Sequence, residues 1–224
     1  PSLITFNEML TLFHEFGHGL HGMLANTKYS SLSGANVLWD FVELPSQILE
    51  NWCYEKECLE TFAQHYQTGE DIPMELIDKI KKSSTFLQGT QTLRQISLGL
   101  LDMSWHNCNP SEINNVKKHE ESAISKTQLF NRKYDSICTS VAFAHIFSGG
   151  YSSGYYSYKW AEVLDADAFE LFKENGIFNK NIGDAFKKHI LSKGGTEDPM
   201  KLYKNFKGNE PSLVALLKRS GLKK

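Results

Sequence analysis

The 224-residue chain has no run of about 18 consecutive apolar residues, so no segment is expected to cross a membrane as a helix. No secretory signal pattern is recognisable either. The chain opens on Pro1 and enters helical periodicity almost at once, so it reads as a piece of a longer protein. An excess of charge is also missing. The 24 Lys and Arg against 26 Asp and Glu leave a formal net charge of -2, which gives no electrostatic case for nucleic acid or an anionic membrane surface. Cysteine is sparse. Cys53, Cys58, Cys108 and Cys138 form neither a C-x-x-C pair nor a dense framework, and the expectation is reduced thiols in a cytoplasmic protein. Strand-like alternation of useful length, internal repeats and low-complexity tracts are absent as well. What remains is an ordinary globular composition, 41% apolar and 22% charged, with helical periodicity nearly throughout. That pattern predicts an all-α fold, in one large domain or two small ones.

The most informative stretch is His14-Glu15-Phe16-Gly17-His18. It lies within Leu3–Leu24, where Phe6, Leu10, Phe13, Phe16, Leu20, Met23 and Leu24 recur at helical spacing. On a helix, residues four apart share a face about 6 Å apart along the axis, so two imidazoles there reach one metal ion. Glu15 is rotated by roughly 100° and flanks that ion, placed to take a proton from water. This is the physical content of H-E-x-x-H as a zinc-protease pattern. His21 is on the same stripe but about 10 Å beyond His14, too far for both to hold one ion, and reads as a supporting or structural residue. Gly17, Gly19 and Gly22 each cost roughly 1 kcal/mol in a helix interior, which points to close approach of another backbone or a substrate.

A catalytic zinc site needs a third protein ligand and an open position. The candidate is Glu43, on a segment where Glu43, Gln47 and Glu50 share a face opposite Leu44, Ile48 and Trp52. Asp40 is expected to cap a helix running to about Tyr66, with Pro45 either delaying its start or kinking it. Further helices are expected over Met74–Ser84, Thr85–His106, Pro110–Leu129, Trp160–Asn175, Asn179–Leu191, Pro199–Phe206 and Pro211–Leu217. The stretch Phe130–Ser140 carries no signal.

Between these helices runs AHIFSGGYSSGYYSYKW, residues 144–160. Tyr151, Tyr155, Tyr156 and Tyr158 fall within eight residues beside Gly149, Gly150 and Gly154. Phenolic hydroxyls are good donors to an oxygen gaining negative charge, and glycines admit a peptide backbone and let a loop swing in over it. An aromatic turn whose tyrosines only pack is the competing reading.

LFHEFGHGLHGML, WDFVELPSQILENWCYE and FAHIFSGGYSSGYYSYKWAEVLDADAF together resemble the thimet-oligopeptidase family of zinc metallopeptidases, peptidase family M3. GTQTLRQISLGLLDM and ILSKGGTEDPMKLYKNFKGNEPSLVALL fit too, so the likeness covers nearly the whole chain. It implies that residues 1–224 are the C-terminal portion of a mostly helical catalytic domain. It implies one zinc ion on His14, His18 and Glu43, with Glu15 as catalytic acid and base. It assigns substrate and transition-state contacts to His145, Tyr151, Tyr155 and Tyr158 in the loop of Gly149 and Gly150. The implied activity is endopeptidase cleavage of short oligopeptides, and the enzyme is expected to be monomeric and cytoplasmic. Family members that remove C-terminal dipeptides look more like P-R-D-F-V-E before the third ligand, where this chain has Leu38-Trp39-Asp40-Phe41-Val42-Glu43. That departure favours an oligopeptidase over a peptidyl-dipeptidase. A peptide-binding fragment, inactive without the rest of the catalytic region, is the remaining alternative.

Overall fold

The first helix, α1, spans Phe6–Met23. Thr5 caps it: its hydroxyl accepts the Glu8 amide while the Glu8 carboxylate takes the Thr5 amide at 2.7 Å, a reciprocal capping box. The remaining α-helices are α2 Trp39–Val42, α3 Leu44–Glu50, α4 Lys56–Leu59, α5 Met74–Ser84, α6 Gln88–His106, α7 Val116–Ile124, α8 Ala144–Phe147, α9 Ser157–Asn175, α10 Lys180–Phe186, α11 Pro199–Lys207 and α12 Leu213–Arg219. This computed structural model describes residues 3–130 and 138–223, and among them there is no β-strand beyond one isolated bridge between Gln64 and Asp71. The all-α expectation holds. Most of the signal-free stretch, residues 131–137, lies outside the described residues.

Three of the expected helices differ in detail. The long helix from Asp40 to Tyr66 is broken into α2, α3, a 3₁₀ turn over Asn51–Tyr54 and α4. Pro45 has no amide to donate and sits in the first turn of α3, so Glu43 becomes the junction where α2 ends and α3 begins. Asp40 is in the first turn of α2 rather than at its cap, which is Leu38. Extended backbone at Glu55 then separates α4. The segment after Pro110 is a 3₁₀ turn followed by the shorter α7, capped by the Asn115 side chain. The helix expected over Asn179–Leu191 is α10 followed by one turn of π-helix, Lys187–Leu191.

The chain divides into two compact units, one from residues up to Phe86 and from Trp160 onward, the other Leu87–Lys159. In the first, the main core joins Phe41, Leu44 and Ile48 of α2 and α3 to Leu164, Phe169 and Phe172 of α9 and to Ile190, Leu202, Tyr203 and Phe206. Trp52 stands edge-on to Phe169 and Phe172, with ring centroids 4.7 and 4.9 Å apart. The residue after α3, Asn51, donates to buried Asp165 at 2.8 Å, and Arg219 of α12 bonds both Asn51 and Asp165. The position of α3 is thus held from both its apolar and its polar side.

α1 packs on α3, and its Met9 and Phe13 join a second core cluster with Cys53, Leu59 and Ile77, while Phe16 and Met23 of the apolar stripe remain exposed. Gly17 is where the two backbones meet. A Cβ there would stand 2.3 Å from the Pro45 carbonyl oxygen and 2.5 Å from Ser46 Cα. The close approach expected of a glycine in this helix is found at this position.

The second unit packs α6, α7, α8 and the loop after α8 around Leu101, Ile124, Phe143, Ile146 and Tyr155. All four cysteines are free, with Cys53 and Cys58 buried and Cys108 and Cys138 partly exposed. Burial, then Cys58 and Glu50 nearby, pushes the Cys53 thiol up to about 12, so it behaves as a small apolar side chain.

Candidate active site

In the first unit, the close α1–α3 contact brings three side chains to one point. Nε2 of His14 and Nε2 of His18 each lie 3.3 Å from Oε2 of Glu43. One ligand atom from each residue falls within 4.8 Å of the other two. Zinc bonds of about 2.05 Å in tetrahedral geometry place neighbouring ligand atoms roughly 3.3 Å apart. The two measured separations therefore match two edges of that tetrahedron, and the donor types, two imidazoles and a carboxylate, are those of catalytic zinc. The residues fit the metal that the sequence pattern implies.

Glu43 is well placed because of its backbone. It occupies the α2–α3 junction, is only 3% exposed, and its Oε2 accepts the Ser46 hydroxyl at 3.0 Å. The opposite nitrogen of His14, Nδ1, lies 2.7 Å from Oε1 of Glu50. A carboxylate only accepts, so Nδ1 carries the proton in this pair. Once the ring loses its second proton, the lone pair left on Nε2 is on the Glu43 side. Burial works against the charged form of His14, but the hydrogen bonds and charges of Glu43 and Glu50 outweigh it and hold the imidazole up to about 10 when no metal competes. Glu50 was visible as a neighbour of Glu43 on one helical stripe, but its partner 36 residues away was not readable from sequence.

Glu15 is exposed, and its carboxylate makes no hydrogen bond or ion pair among the described residues. His21 is fully buried and neither ring nitrogen has a hydrogen-bond partner there. Burial, with the charge of His18 adding to it, pushes the His21 imidazole down to about 4, so the ring is neutral. It does not join His14, His18 and Glu43.

In the second unit the loop residues singled out by sequence form one aromatic cluster. The His145 ring centroid lies 6.0 Å from Tyr151, 5.6 Å from Tyr155 and 6.2 Å from Tyr158. Tyr151 and Tyr158 stack at 4.9 Å. Tyr155 is the most enclosed of the three, and its hydroxyl donates to Oε1 of Gln95 at 3.2 Å. Burial raises its phenol above the ordinary tyrosine value, so the hydroxyl keeps its proton. Gly149 is required by contact: a Cβ there would meet His145 Cα at 2.9 Å. Gly150 adopts φ +85°, open to glycine at little cost. Sequence reasoning did not find Gln95, nor Asp102, whose carboxylate binds this loop.

The family model for peptidase family M3 matches residues 1–222. Oligopeptidase A of Haemophilus influenzae is 45% identical over 99% of this chain, and oligopeptidase A of Escherichia coli is 45% identical over all of it. Dipeptidyl carboxypeptidase of Escherichia coli is 39% identical over 99% of the chain. In each case the match takes in 33% of the relative, so the chain spans about a third of the length of these curated relatives. A family match across nearly every residue, with the H-E-x-x-H helix inside it, leads to one assignment: the chain belongs to peptidase family M3.

Proposed function

We propose that this chain carries the metal centre of a zinc-dependent endopeptidase that hydrolyses short oligopeptides in the cytoplasm. The observation that carries this reading is the convergence of His14 Nε2, His18 Nε2 and Glu43 Oε2 at tetrahedral-edge spacing, one residue from an exposed carboxylate. The higher identity to the oligopeptidases A, 45% against 39%, supports an endopeptidase over a dipeptidyl carboxypeptidase.

Zinc, when bound, supplies a Lewis acid that polarises the scissile carbonyl and makes water acidic near neutral pH. The rest of the chemistry belongs to the chain. His14, His18 and Glu43 hold the ion, and Glu50 keeps the His14 proton on Nδ1 so that Nε2 is free to bind. The Glu15 carboxylate accepts the proton of the attacking water and returns it to the leaving amine. Exposure of Glu15 leaves it open to both water and substrate. Tyr155 or Tyr158, with His145, donates to the oxyanion, and the backbone at Gly149, Gly150 and Tyr151 receives the peptide. Their grouping in one cluster supports a shared role.

The test is reconstitution of the metal-free protein with zinc, followed by cleavage of a quenched fluorescent peptide by the whole protein. One zinc per chain is expected. Glu15→Gln should keep that zinc and lose about 10²-fold or more in kcat, because a base is removed and no ligand. A chain that takes up no zinc on reconstitution refutes the metal centre, and wild-type kcat in Glu15→Gln refutes the role of Glu15.

A further inference from the structure

Asp102 lies on α6 and is given no part in the proposed chemistry above, and its side chain is 0% exposed. A buried carboxylate persists only when its oxygens are occupied by donors. Oδ1 accepts the backbone amide of Ser153 at 2.9 Å, and Oδ2 accepts that of Tyr155 at 2.9 Å. Nδ1 of His106, one turn further along α6, lies 2.9 Å from Oδ1. Both amide contacts fall in the tyrosine loop, 51 and 53 residues away in sequence.

The loop's backbone is shaped to deliver those two amides. Ser153 adopts φ +55°, a left-handed conformation that a residue with a side chain rarely takes and that persists only when its surroundings enforce it. Gly154 then donates its amide to the Tyr151 carbonyl at 2.9 Å. The other half of the loop is tied to α8: the Gly149 amide bonds the Ala144 carbonyl at 2.7 Å and the Tyr151 amide bonds the His145 carbonyl at 2.9 Å. The glycine-rich half is therefore tied to α8 by its own backbone, and the Ser153 and Tyr155 amides are held by the Asp102 carboxylate.

We propose that Asp102 is a positioning residue that anchors the tyrosine loop, so that Tyr155 and its neighbours present their hydroxyls in the geometry peptide hydrolysis needs. The inference rests on the proposed peptidase reading. Only a carboxylate serves both amides, because it offers two acceptors and no donor. Asparagine in its place turns an NH₂ group against one of the two amides.

The experiment uses Asp102→Asn in the whole, zinc-loaded protein, with amide hydrogen exchange and steady-state kinetics measured together. In wild type, the Ser153 and Tyr155 amides should exchange slowly for a surface loop. In the variant they should exchange about 10-fold faster or more, while amides in the middle of α6 keep their protection. kcat per folded molecule should fall about 10–100-fold, with zinc content unchanged. In a Tyr155→Phe, Tyr158→Phe background, Asp102→Asn should cost much less than it costs alone, because it acts through those residues. Rapid exchange of both amides in wild type overturns the anchor, even if the variant fails to fold. So does unchanged exchange in the variant, and in both cases the peptidase reading stands. Faster exchange with wild-type kcat, or a full additive loss in the tyrosine-free background, overturns the positioning role. Failure of the peptidase reading shows separately, as a wild-type protein that cleaves no peptide, and the positioning role falls with it.

Discussion

Gly17→Ala tests whether the α1–α3 contact builds the metal centre. The added Cβ would stand 2.3 Å from the Pro45 carbonyl oxygen, 2.5 Å from Ser46 Cα and 2.9 Å from the Pro45 carbonyl carbon. All three are backbone atoms, so no side chain can rotate away. Reaching an ordinary contact of about 3.4 Å requires the helices to part by roughly 1 Å. Two effects oppose each other. Alanine is favoured over glycine inside a helix by about 1 kcal/mol. Overpacking a rigid contact costs about 1–3 kcal/mol, and a clash with fixed backbone belongs at the upper end. The clash wins by roughly 2 kcal/mol, which for a chain of this size lowers Tm by roughly 4–8 °C. The same displacement moves Glu43 relative to His14 and His18, where metal ligation tolerates only about 0.2 Å. Zinc affinity should therefore fall by at least about 10-fold. Urea denaturation of the metal-free chain reads the first effect, and competition with a chromophoric chelator reads the second. A Gly17→Ala chain as stable as wild type, with unchanged zinc affinity, would refute the argument that this contact is rigid and sets the site.

His14 makes metal uptake depend on pH. Its folded value is raised from 6.5 to about 10, so the proton stabilises the metal-free chain fully below pH 6.5, and that contribution is lost as pH rises through about 10. The proton must leave before Nε2 binds metal, so zinc affinity should rise across that window, and zinc binding at pH 7 should release about one proton from this residue. Calorimetry in buffers of different ionisation enthalpy measures the release, and none at pH 7 would contradict the pairing with Glu43 and Glu50. Glu120 of α7 behaves in the opposite sense. Burial raises its carboxyl, but the Ser140 and Thr139 amides, then the Ser140 hydroxyl and the Cys138 thiol, outweigh it and bring the group down to about 2. Its contribution is present above pH 4.5 and is lost as pH falls through about 2, so Glu120→Gln should cost about 2–3 kcal/mol at pH 7 and progressively less in acid. A pH-independent difference in urea midpoints would count against that assignment. Tyr155→Phe and Tyr158→Phe separate donation from packing: the variant lacking the oxyanion donor should lose roughly 10²–10³-fold in kcat with little change in KM. Wild-type kcat in both would return the loop to packing alone.

Local signals in the chain were read well where the physics is local. α5 has the bounds Met74–Ser84 expected from periodicity. α9 ends at Asn175, and Gly176 follows it at φ +96° as a helix-ending glycine should. The helix boundaries that shifted did so where one residue changes the hydrogen-bond ladder, as Pro45 does at the start of α3. The joint presence of His145, Tyr151, Tyr155 and Tyr158 in one cluster was also foreshadowed, because they lie within 14 residues of one another.

The spacing of His14 and His18 alone determined that both imidazoles share a helix face, since 3.6 residues per turn leaves no other outcome. That Glu43 reaches them was decided by tertiary structure, through Gly17 letting two backbones meet and through the core that holds α3 in place. The same holds for Glu50 on His14 and for Asp102 on the tyrosine loop, partners 36 and more than 50 residues apart. A carboxylate in a sequence looks the same whether water or a buried amide will solvate it. Which of the two it meets depends on packing between elements distant along the chain, and local periodicity carries no information about that.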